Sequence, residues 1–210
     1  MFWKSIYLPS KITALLEKED VTLEELLKED DIIDECKSCN TQLIDIIVKE
    51  ENLKKIVDMM VSRPDDELSE KEKYRNAHVA CEILTSDLTR ITEALSENEA
   101  CLEKIYSFFR QEPPLNPLQS SFFSKTMGLL ITHESRKTLS FLKSKDDFVD
   151  LLMRNLNISA ISDLLLRLIT CIETIEVRNE CFQWLSEQKI VERLLALVDA
   201  SQSNEVCANQ

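Results

Sequence analysis

Glycine is almost missing from this chain: Gly128 is the only one in 210 residues, and there are five prolines. Tight hairpin turns with positive φ draw on glycine, and so do phosphate-cradling loops and dinucleotide fingerprints, at fixed spacing. Sandwiches, barrels and doubly wound nucleotide-binding folds are therefore not expected. Histidine is scarce too, with only His78 and His133. A two-metal hydrolase centre needs several His and Asp ligands, so none is expected. Cations are outnumbered, 25 Lys and Arg against 38 Asp and Glu, for a net charge of −13. Nucleic acid and anionic membrane surfaces are poor partners for such a body. Apolar runs are far too short to span a bilayer, and Met1-Phe2-Trp3-Lys4 lacks the apolar core of a signal peptide. With seven scattered cysteines, these features point to free thiols in a reduced compartment, cytoplasmic and also nuclear.

What is present is helical periodicity. Leu53, Ile56, Val57, Met59 and Met60 set a pattern of apolar offsets 0, 3, 4, 6 and 7. Leu102, Ile105, Tyr106, Phe108 and Phe109 repeat it, as do Val191, Leu194, Leu195, Leu197 and Val198. Val149, Leu152, Met153 and Leu156 match at all but one offset, where Asn155 sits. These offsets mark one broad face of a helix. A recurrence in the forties predicts an all-α armadillo- or HEAT-like helical-repeat solenoid, an architecture that presents a surface to other proteins.

Local signals agree. Thr22/Glu25, Ser69/Glu72 and Ser96/Glu99 have capping-box spacing, and Asn116-Pro117 reads as an N-cap followed by proline at the first helical position. The pattern predicts helices over 10–18, 22–29, 30–48, 51–62, 70–85, 88–95, 98–110, 117–132, 135–143, 146–156, 159–173, 177–186 and 188–199. A polar tail over 200–210 follows, without a helical apolar face. The repeat domain is taken as 1–199. A stack ending there leaves Val191, Leu194, Leu195 and Val198 uncovered, so either self-association or a tail folded back over them is expected.

Three features could carry chemistry or recognition. Cys36 and Cys39 have redox and zinc spacing, yet no second ligand pair lies at a usable distance and the setting is an acidic helix. Ten acids lie between Glu17 and Lys37 against three lysines, which reads as a solvated face or as a docking strip for a basic partner. Trp3 is either a lid on the first repeat or a partner anchor.

Several stretches resemble a known family in order from residue 1 to 199. They are Met1-Phe2-Trp3-Lys4, the run from Glu19 to Leu26, Glu35-Cys36-Lys37, Cys81 to Asp87, Pro113 to Leu118, Ser121 to Thr126, Asp147-Phe148-Val149, Ser159 to Leu168, Trp184-Leu185 and Lys189-Ile190. Together they are similar to the N-terminal part of the SAPS-domain proteins. The resemblance implies regulatory subunits of protein phosphatase 6, non-catalytic, whose helical-repeat domain binds the phosphatase catalytic subunit, with ankyrin-repeat proteins as a third subunit. No cofactor is implied. Candidate partner-binding residues are Pro113, Pro114, Asn116, Pro117, Lys125 and Arg167, with Trp3. The prolines stiffen a turn, so that ordering it costs little, and the two cations stand out in an acidic chain. The rival expectation is an armadillo-type adaptor for a small GTPase or a cytoskeletal regulator such as a formin.

Overall fold

A computed structural model describes residues 10–18, 20–64, 67 and 69–208. The described residues form helices and no strand. In order they are α1 (Lys11–Leu16), α2 (Leu23–Leu26), α3 (Ile32–Lys37), α4 (Thr41–Ile47), α5 (Glu50–Val61), α6 (Glu70–Leu84) and α7 (Thr89–Glu97), then α8 (Glu99–Phe109), α9 (Pro117–His133), α10 (Ser135–Lys143), α11 (Phe148–Arg154), α12 (Ser159–Thr170), α13 (Ile175–Glu187) and α14 (Ile190–Ala208). The chain divides into two compact units, 1–105 and 106–210, with the division falling inside α8.

Helix ends follow sequence chemistry at some sites and depart from it at others. Thr22 and Glu25 close a reciprocal capping box on α2. The Asn116 side chain accepts from the Leu118 and Gln119 amides, and Pro117 opens α9 without an N–H to satisfy. Ser69 and Glu72 bond to each other through their side chains rather than to the backbone. The Ser96/Glu99 box does not form. Ser96 is buried inside α7 and donates to the Glu93 carbonyl, while Asn98 accepts from the Cys101 amide at 3.1 Å.

Two predicted elements are corrected. The single helix expected over 30–48 breaks into α3 and α4 at Cys39, whose φ is 59°. Asn40 then caps α4 by accepting from the Leu43 amide. The expected tail from 200 does not fold back, because residues 200–208 continue α14.

In the first unit, Ile12, Leu26, Ile32, Leu43, Ile47, Leu53 and Ile56 form the core. Helix α6 packs on α3 and α7 on α4. Ion pairs link the same partners: Lys37 with Glu82 at 3.1 Å and Arg90 with Asp45 at 2.8 Å. The pair Lys104–Asp58, at 2.9 Å, ties α8 to α5 in the same way. Exposed pairs of this kind contribute about 0–1 kcal/mol each. Their value is diagnostic: each joins a helix to the third helix after it.

The second unit repeats that arrangement. Helix α12 packs on α9, α13 on α10 and α14 on α11. Lys143–Glu180 (2.6 Å) and Arg193–Asp150 (2.6 Å) join the last two couples. The starts of α9 and α12 (117 and 159) and of α11 and α14 (148 and 190) are 42 residues apart. An aromatic core fills this unit. Phe109 stacks on Phe123 with centroids 4.8 Å apart, and Phe148 stacks on Trp184 at 5.8 Å. Offset ring pairs stabilise by roughly 0.5–1.5 kcal/mol beyond their area.

Helix α9 is buried around most of its circumference, so its polar residues must be satisfied locally. Ser120 returns its hydroxyl to the Asn116 carbonyl at 2.9 Å, and Thr138 from α10 caps the Leu130 carbonyl at 3.0 Å.

Candidate docking surface

The candidate residues from the proline turn meet along the α9–α12 seam. Pro113 and Pro114 are exposed and joined by a cis peptide bond, and buried Leu115 pins the turn to the unit. Pro113, Pro114, Leu115 and Pro117 line a groove of about 590 Å³. Its opposite wall is Arg154, Asn155, Asn157, Ile158 and Ser159. The groove thus lies at the N-termini of both α9 and α12. Asn116 does not line it; its side chain is spent on the α9 cap.

Lys125 and Arg167 lie eight residues further along their helices, roughly 12 Å from each N-terminus at 1.5 Å per residue. They are 42 residues apart and so take equivalent places in successive helix triplets. Lys125 is exposed, three residues before Gly128 on the same helical face. Arg167 crosses Gly128. A methyl group there would stand 2.6 Å from its Cδ and 3.1 Å from its Nε. The lone glycine is therefore the place where a neighbouring helix's arginine passes close to the backbone. Arg167 then donates from Nε to Asp163 at 2.8 Å. The fold itself therefore uses Arg167: its stem fills the seam and its charge is paired on its own helix.

Sequence reasoning missed the far wall of the groove. The 42-residue spacing between Pro117 and Ser159 was the available signal. It also missed a polar junction between α8 and α11. Buried Tyr106 donates to Asp147 Oδ1 at 2.8 Å, and Arg110 donates to both Asp147 oxygens at 2.7 and 3.1 Å. The Arg110 guanidinium lies 4.7 Å from the Tyr106 ring centre. Bonding from Arg110 above all, then from Tyr106, holds the Asp147 carboxyl below the usual range.

Other sequence candidates are not brought together. Trp3 lies outside the described residues. Cys36 is fully buried, its thiol pushed up to about 12 by burial and then by Glu35, while Cys39 is exposed. A thiol held that high is a poor nucleophile and metal ligand. Among the described residues, no group of three His, Cys, Asp or Glu is placed to hold a metal ion. The acidic strip is partly engaged within the chain, Glu24 with Lys55 at 2.7 Å, Glu29 with Lys11 at 3.3 Å and Asp30 with Arg75 at 3.2 Å. Among the described residues, no helix is long and apolar enough to cross a membrane.

Comparison with known proteins shows what the chain is similar to. Residues 127–210 match the family model SAPS, SIT4 phosphatase-associated protein. The serine/threonine-protein phosphatase 6 regulatory subunit 3 of Gallus gallus is 45% identical over the whole of this chain. Regulatory subunit 1 of Mus musculus is 44% identical over the same span. The chain is similar along its whole length to these phosphatase regulatory subunits, and over 127–210 to the SAPS model. Its similarity extends to fungi, where the extragenic suppressor of kinetochore protein 1 of Schizosaccharomyces pombe is 35% identical over 94% of the chain. The chain spans about a quarter of the length of the relatives it matches, 24% of the chicken protein and 25% of the fission-yeast protein. The family-model match contains Gly128 and Arg167, whereas the Pro113–Pro117 turn precedes it. No solved structure matches the chain.

Proposed function

We propose that this chain is a non-catalytic regulatory scaffold that binds a protein phosphatase 6-type catalytic subunit and directs it to substrates. One observation carries the reading: relatives 40–45% identical over all 210 residues bear the name of phosphatase 6 regulatory subunits. The three-helix packing period supports the finer architecture, an armadillo-like helical-repeat solenoid. In such a scaffold, catalysis belongs to the partner. The scaffold raises the effective concentration of substrate at the phosphatase and orients it.

The docking surface on this reading is the α9–α12 seam, with the proline groove at one end and Lys125 and Arg167 along it. A stiff turn and cations in register suit a partner with acidic and apolar contacts. Ankyrin-repeat proteins are the proposed third subunit. The location is the cytoplasm, with the nucleus a second compartment, and imaging of a tagged chain tests it.

The experiment is capture of purified phosphatase 6-type catalytic subunit by the wild-type chain and by the double variant Lys125→Glu, Arg167→Glu. Charge reversal at an interface should cut capture by about tenfold or more, while far-ultraviolet circular dichroism stays unchanged. Capture equal to wild type refutes the assignment of this seam. Failure of the wild-type chain to capture the subunit at all refutes the function.

A further inference from the structure

The groove beside the proline turn holds polar groups that the fold does not use. Its volume of about 590 Å³ falls within the range of about 300–1,000 Å³ usual for ligand sites. Part of its lining is apolar, with exposed Pro113 and Pro114 on one wall and half-buried Ile158 on the other. Leu118, 42% exposed, follows Pro117 in the first turn of α9. Among the described residues it is the one large exposed hydrophobic side chain that lies outside 166–198.

The polar groups set the charge that the groove accepts. Arg154 is exposed in the last turn of α11 and, among the described residues, has no hydrogen bond or ion pair. A cation suits a helix C-terminus, but that role leaves the guanidinium fork open. Asn155 is only 3% exposed. Its Nδ2 donates to the Leu151 carbonyl at 2.9 Å, and among the described residues nothing donates to its Oδ1. A buried amide oxygen ordinarily has a partner. Ile158 puts no side-chain acceptor on the first amides of α12. No carboxylate lines the groove, in a chain with 38 Asp and Glu; Glu112 precedes the turn and stays outside it.

We propose that the groove takes a short extended segment of a partner protein that carries an Asp or Glu carboxylate beside an apolar side chain. The carboxylate pairs with the Arg154 fork, and the apolar side chain lies on Pro113, Pro114 and Ile158. A main-chain N–H of the segment donates to Asn155 Oδ1. A single guanidinium matches the one charge of a carboxylate, whereas a phosphate carries nearly two and is held by clusters of arginines. An anionic membrane is repelled by a body of net charge −13. The proposal deepens the scaffold reading above by naming what enters the groove, and rests on it for the owner of the segment.

The test uses the purified 210-residue chain and fluorescein-labelled octapeptide pools, each with one Leu and one Glu up to three positions apart on a Gly/Ser background. Fluorescence anisotropy should give at least one pool a Kd of about 100 µM or tighter. Glu→Gln or Leu→Ser in the peptide should weaken it about tenfold or more. Arg154→Glu in the chain should do the same, and replacing the peptide's Glu by Lys should then restore binding. Arg136→Glu, the same charge change at an exposed site on α10, should leave binding within about twofold. Binding by no pool at about 1 mM chain overturns the proposal, and so does an Arg154→Glu chain that binds as the wild type does. A phosphoserine pool held more than about tenfold tighter than the Glu pool overturns the carboxylate assignment. Sedimentation with phosphatidylserine vesicles that Arg154→Glu abolishes overturns it in favour of a membrane. Capture of the catalytic subunit is scored on the same preparation. Peptide binding without capture sinks the function proposed above and leaves the groove standing, while capture without peptide binding does the reverse.

Discussion

Gly128→Ala sets two effects of similar size against each other. Replacing glycine by alanine inside a helix ordinarily stabilises by about 1 kcal/mol, because the unfolded glycine has more freedom to lose. At this position the new methyl would sit 2.6 Å from Arg167 Cδ and 3.2 Å from its Nη1. Carbon atoms rest comfortably at about 3.5–4.0 Å, so the arginine stem must move by about 1 Å. That movement disturbs the Arg167–Asp163 pair, an exposed i, i+4 contact of roughly 0.3–0.5 kcal/mol, and lifts the stem from the seam. The expected net change is within about 0.5 kcal/mol of zero. In an Arg167→Ala background nothing obstructs the methyl, and the same substitution should stabilise by about 1 kcal/mol, or roughly 2–4 °C in Tm. Urea denaturation of the four proteins completes a double-mutant cycle. A coupling of about 0.5–1 kcal/mol is expected for side chains in contact. Additivity within about 0.3 kcal/mol would mean that Arg167 does not lie across Gly128. On the docking assignment, Gly128→Ala alone should also weaken capture of the catalytic subunit, since it displaces a cation without unfolding the helix.

At the α8–α11 junction, Tyr106→Phe should cost about 1 kcal/mol, while Asp147→Ala should cost more, up to about 3 kcal/mol, since it strands a buried hydroxyl; equal costs would refute that ranking. Asp147 is held below its ordinary value, so its contribution is present above about pH 4 and is lost as pH falls through the lower folded value. The stability gap between wild type and Asp147→Asn should therefore narrow on acidification below pH 4, and a gap that widens would contradict the assigned bonding. Among four thiols, Cys39 should be alkylated in the native protein, whereas Cys36, Cys101 and Cys181 should react only after denaturation. Mass spectrometry of the labelled peptides checks this, and rapid native labelling of Cys36 would contradict its burial.

The helical class was legible in the chain because it depends on neighbours three and four residues away. One glycine, the Asn116-Pro117 cap and the apolar offsets each report such local physics. Local physics also explains the misreadings. Asn40 is a capping residue, yet the apolar residues on either side of it read as one continuous pattern, and only the left-handed turn at Cys39 separates α3 from α4. Ser96 has the spacing of a cap, but burial in α7 turned its hydroxyl back to Glu93. Residues 200–208 lack an apolar face, and α14 extends through them all the same.

The α9–α12 seam was half visible. The prolines, Lys125 and Arg167 stood out by type, and the 42-residue period could have set Ser159 opposite Pro117. That Arg167 needs Gly128, or that Tyr106 needs Asp147, depends on side chains about 40 residues apart meeting at bonding distance. Periodicity determined which face of each helix is apolar. Only tertiary packing decided which face meets which, because that choice sums the fit of every side chain along two helices, and no spacing in one helix contains it.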